Sequence, residues 1–150
     1  MSLPVLPGRP LRPTPAVRLK VHAAVWLARR LARRSPQRLR AAMTLLSRGA
    51  RVADHAEARQ ARDEVLSVCP RHCGSPTACL PRSIAVALVC RSRGTWPTWC
   101  VGVRAAPPFL AHAWIEVAGE MVDEPVDGDC YRKFFTVGTP EERDEREKSK

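Results

Sequence analysis

The chain has 150 residues, with 25 Lys or Arg against 15 Asp or Glu and a formal net charge of +10. That length suits one domain around one modest core. No apolar run reaches the roughly 20 residues of a membrane span, and Pro4 and Pro7 fall where a secretory signal needs an apolar helix, so the reading is a cytoplasmic protein without a membrane span. In chain order, the first 15 residues contain Pro4, Pro7, Pro10, Pro13 and Pro15, a density that denies helix and sheet hydrogen bonds and predicts a flexible arm. Residues 16–34 predict a helix, because Val17, Val21, Ala24, Leu27 and Leu31 recur at helical spacing among arginines. Ser35-Pro36 is an N-cap and first-turn pair for a second helix that Gly49 ends. A third helix is expected over residues 54–68, and residues 70–78 read as a loop. A fourth helix is expected over 80–93, with Pro81 in its first turn and Gly94 past its end. The period then changes to alternation: 98–103, 111–117 and 120–124 read as strands, with an extended piece over 131–137. Residues 140–150 are nearly all charge and predict a disordered tail.

The architecture expected from this pattern is α+β: a helical region over 16–68, then a core over 69–138 in which one central helix packs on an antiparallel sheet, with a charged tail over 139–150. Two residues stand out as chemistry. Cys79 opens the central helix, where unpaired N–H groups and a partial positive charge favour thiolate over thiol. His112 starts a strand, and a neutral imidazole can take the thiol proton and return it to a leaving amine. A third group should hold the imidazole, and the candidates are Asp123 and Glu124. A two-residue turn at Gly119 would place Asp123 on the face of His112; a three-residue turn would place Glu124 there. Arg82 and Ser83, in the first turn after Cys79, either assist the site or cap the helix.

These features come with context. Cys79-Leu80-Pro81-Arg82-Ser83, Val101-Gly102-Val103-Arg104, Pro108-Phe109 and Ala111-His112-Ala113-Trp114-Ile115-Glu116-Val117 resemble, in order and spacing, the leader peptidase of lasso-peptide biosynthesis, the lasso B protein. The likeness runs from about residue 60 to residue 137. It implies a transglutaminase-like, papain-related core with the cysteine helix against the histidine strand. It also implies a cysteine peptidase that needs no cofactor or metal. Family spacing favours Glu124 as the acid, although many members carry Asp there. The resemblance further implies a split system. Residues before Cys79 lack the strands of a winged-helix leader-binding domain, so a separate leader-binding protein (a RiPP recognition element) would deliver the lasso precursor, and a lasso cyclase would act next.

Three other readings compete with this one. Cys69, His72, Cys73 and Cys79 lie close together, but no second CxxC pair follows, which argues against zinc. The cluster Arg29, Arg30, Arg33, Arg34, Arg38 and Arg40 would suit phosphate, yet no nucleic-acid-binding motif accompanies it, so no nucleic acid is expected. The same Cys–His pair would also serve a transglutaminase-like acyltransferase or amidase.

Overall fold

The computed structural model describes residues 12–124 and 128–150. The expected proline arm lies almost wholly outside the described residues. Its last residues instead begin helix α1 (Pro15–Ala32): Thr14 caps it by accepting from the Val17 N–H, and Pro15 occupies the first position, where a missing N–H costs nothing. Helix α2 (Pro36–Leu46) follows the Ser35-Pro36 signal. Helix α3 (His55–Val68) starts at a full capping box in which Asp54 and Glu57 bond each other's backbone N–H groups.

The expected loop over 70–78 is more ordered than its Gly, Ser and Pro content suggests. It forms the short helix α4 (Pro70–Cys73) and a 3-10 turn (Pro76–Ala78), both with proline in the first turn. The central helix α5 (Cys79–Ser92) is apolar all round, with every residue from Arg82 to Cys90 buried. It is therefore wrapped: α1 and α3 cover one side and the sheet covers another. Arg91, near its end, donates to the Leu46 and Arg48 carbonyls, satisfying acceptors left open at the end of α2.

The sheet contains β3 (Thr98–Arg104), β4 (Ala111–Val117), β5 (Glu120–Met121) and β6 (Tyr131–Val137) in the order β5-β4-β3-β6, every neighbouring pair antiparallel. A short parallel pair, β1 (Arg51–Val52) with β2 (Thr95–Trp96), ties the start of α3 to the end of α5. The molecule is thus α+β, with the cysteine helix on an antiparallel sheet. The helical region and the core are not separate bodies: Val21, Met43, Val65, Ile84, Trp99 and Ile115 belong to one buried cluster.

The expectation of a disordered tail is corrected. Residues Pro140–Lys148 form helix α6, capped by a second reciprocal box between Thr139 and Glu142. Glu141 and Glu142 lie in its first turn and Arg146 and Lys148 in its last, as the helix dipole prefers, and Thr98 on β3 donates to the Glu142 carboxylate. Charge density alone hid a helix whose signals were positional.

Candidate active site

Cys79 is the first residue of α5, and no side chain caps that helix, so its positive end is left to the thiol. Strand β5 ends at Met121, opposite Glu116, which leaves the edge of β4 uncovered at Ala113. Burial by itself pushes the Cys79 thiol up. Contacts from the His112 imidazole and the Ala113 N–H, with the nearby charges of His112 and Arg82, outweigh burial, so its pKa lies below the ordinary 9.0. The buried cysteines go the other way. Burial raises Cys69, takes Cys73 to about 11 and Cys90 to about 12, and raises Cys100 too.

His112 lies within a stack of rings. Trp114 is 5.7 Å away and nearly parallel, and Tyr131 is 4.9 Å away. The stack is fixed from behind: the Trp114 indole N–H donates to Glu116 at 2.9 Å, and Lys133 holds the other Glu116 oxygen at 2.8 Å. Gly102, paired with His112 across the sheet, makes the room. A Cβ there would collide with the Arg132 carbonyl and stand 3.0 Å from the Trp114 ring.

The two candidate acids part company. The Glu124 side chain is 9% exposed; its Oε2 lies 3.5 Å from His112 Nε2, and its Oε1 lies 3.9 Å from Arg82 Nη2. Asp123 points elsewhere and binds Arg59 Nε at 2.9 Å. The turn has two residues, Ala118 and Gly119, both with positive φ, and the register Glu116–Met121 and Val117–Glu120 follows from it. Continued alternation would have put Asp123 opposite Trp114, with His112. The strand expected over 120–124 stops short, however. After Val122 bonds Ile115, Asp123 turns into the left-handed region at φ 47°, and Glu124 takes the place facing the imidazole.

The Nε2–Oε2 separation is an ion-pair distance rather than a hydrogen bond, and Nε2 has no hydrogen-bond partner among the described residues. Glu124 therefore acts on the ring across this short gap, and both its contact and its charge favour the imidazolium. With Nε2 turned to the carboxylate, Nδ1 is the nitrogen left for the thiol. Burial pulls the imidazole down, but its contacts with Cys79 and Glu124 and their negative charges raise it from 6.5 to about 9. A lowered thiol beside a raised imidazole describes a thiolate–imidazolium pair.

Ser83 serves packing: its Oγ accepts from the Trp99 indole and donates to the Leu80 carbonyl. Arg82 is buried, donates to the Cys73 and Ser75 carbonyls, and so ties the approach to α5 to Glu124. Sequence reasoning missed Arg62, buried on α3 close enough to Glu124 to feel its charge. Its signal was a charged residue on the stripe Ala58, Ala61, Val65 and Leu66. Among the described residues, no group of three or more His, Cys, Asp or Glu converges as a metal site would need.

Residues 21–137 match the Transglutaminase-like superfamily, and the chain belongs to it. No curated protein and no solved structure matches the chain.

Proposed function

We propose that this member of the transglutaminase-like superfamily, whose enzymes are generally cysteine-based, is a cysteine peptidase that cleaves the leader from a lasso-peptide precursor. The observation that carries the reading is the pairing of a lowered Cys79 thiol with a raised His112 at the head of α5, inside the motif set that resembles the lasso B proteins. In this reading the Cys79 thiolate attacks the carbonyl carbon of the scissile amide. The Cys79 N–H at the helix head contributes to stabilising the oxyanion. The His112 imidazolium gives its proton to the amide nitrogen as the C–N bond breaks, leaving a thioester and a free amine. The imidazole, again neutral, takes a proton from water as that water attacks the thioester, and the carboxylic acid leaves with the thiolate and imidazolium restored. Glu124 favours the imidazolium through each cycle.

A separate leader-binding protein would present the precursor, and a cyclase would consume the freed core peptide. The test is mass spectrometry of full-length precursor incubated with the chain, with and without the helper protein. Cleavage should be slow alone and restored by the helper. Cys79→Ala and His112→Ala should each lower the rate by at least about a thousandfold, and the double variant should be no slower than either, because the pair acts as one unit. Transfer of the acyl group to an amine in place of hydrolysis would replace peptidase with acyltransferase. Retained activity in Cys79→Ala would remove the site.

A further inference from the structure

The charge is unevenly distributed along the chain. Residues 1–53 hold twelve Lys or Arg and no acid, while residues 54–150 hold thirteen Lys or Arg and all fifteen acids. The first third therefore supplies more than the whole net charge of +10. Helix α1 gathers part of it beside a groove of about 870 Å³. His22, Trp26, Arg29, Arg30 and Arg33 line its α1 side, and Pro81 lies on the α5 side. Those positions are three or four residues apart, so they share one helix face; Val21, Ala24 and Ala28 are buried on the other, and Val25 is buried at the groove itself. Among the described residues, no acid lines the groove. None of Arg29, Arg30 and Arg33 is ion-paired with a described residue. Trp26 stays 62% exposed, with the Arg30 guanidinium 4.7 Å from its ring centre.

We infer that this groove binds an acidic segment of the peptide substrate, away from the bond to be cut; the inference rests on the peptidase reading. Unpaired guanidinium groups in a lining without acids call for carboxylates, and a stacked Arg–Trp pair offers both a planar fork and an apolar face. A volume of this size holds a few side chains of an extended chain, whereas a folded partner needs roughly 800 Å² of surface on its side. Location favours the substrate. Pro81 is two residues beyond Cys79, and an extended chain covers about 3.3 Å per residue, so a few residues lead from the groove round the helix end to the thiol.

The test uses the full chain carrying Cys79→Ala, so that binding is read without cleavage. A fluorescently labelled peptide of Glu, Asp and Gly is titrated by anisotropy against its Gln and Asn counterpart. The acidic peptide should bind at least about tenfold more tightly, and Arg29→Glu with Arg33→Glu should remove that preference while thermal melting stays unchanged. In the active chain, the same two substitutions should raise KM for an acidic substrate and leave kcat alone, since the contact is equal in ground and transition states. Equal binding by the double variant would overturn the inference. So would a single-stranded oligonucleotide of matched charge that displaces the peptide at lower concentration and loses its own affinity in the variant, which would make the groove a nucleic-acid site. Loss of all peptide cleavage with acid-dependent binding intact would remove the peptidase reading and leave the groove standing.

Discussion

Asp123 and Glu124 carry the same charge one residue apart, and a single backbone angle separates what they touch. Alternation along a strand points to Asp123 once the turn is known to have two residues, and the turn length itself is not legible in Ala118-Gly119-Glu120. The left-handed φ of Asp123 undoes that parity, and its only trace in the sequence is that aspartate tolerates the conformation better than most residues. The structure brings Glu124, the residue that family spacing favours, to within 3.5 Å of the imidazole, where strand geometry alone points to Asp123. The two acids should separate cleanly in kinetics. Glu124→Gln removes a charge that raises His112, so kcat/KM should fall by about ten- to a hundredfold and its alkaline limb should move below about 9. Asp123→Asn breaks only the partly exposed pair with Arg59, worth about 1 kcal/mol at most, and should leave the rate within about twofold. A pH series of kcat/KM on both variants checks this; the reverse ranking would make Asp123 the partner.

Elements marked by several agreeing signals were legible: α3 with its acidic start, α5 with Pro81 and Gly94, and β4 with its alternation. Those missed were held by single or distant causes. Helix α6 depends on Thr139 and Glu142 across a glycine-proline junction, and the β1–β2 pair on two residues each, too short for any period. Gly102 shows how an element serves the site. In a strand it costs stability, yet it lets Trp114 lie flat beside His112 and lets β6 approach at the register shift between Val101 and Gly102. Gly102→Ala should lower stability by about 1–3 kcal/mol, the usual range for overpacking, and should depress kcat more than KM by shifting the ring stack. Thermal melting and steady-state kinetics read the two effects separately. An unchanged melt would mean that the sheet yields at this point at no cost.

At the scale of the molecule, one buried cluster joins the basic helices to the sheet, so the charge of the first third and the thiol of α5 belong to one rigid frame. No helix among the described residues is long and apolar enough to cross a membrane. The Cys79–His112 pair should titrate as a unit. kcat/KM should climb as pH rises through the lowered thiol pKa, hold while the ion pair persists, and fall as the imidazolium loses its proton near 9. A rate that instead climbs steadily past pH 9 would mean a neutral pair. The ring stack gives the protein an optical gauge of the same event. Of the four tryptophans, Trp114 alone is stacked on a titrating imidazole, and a protonated imidazole quenches indole emission. The intrinsic fluorescence of the resting chain should therefore brighten near pH 9. In Cys79→Ala, where the thiolate no longer supports the charge on His112, that brightening should arrive at lower pH, so the light from Trp114 reports whether the ion pair exists before any substrate is added.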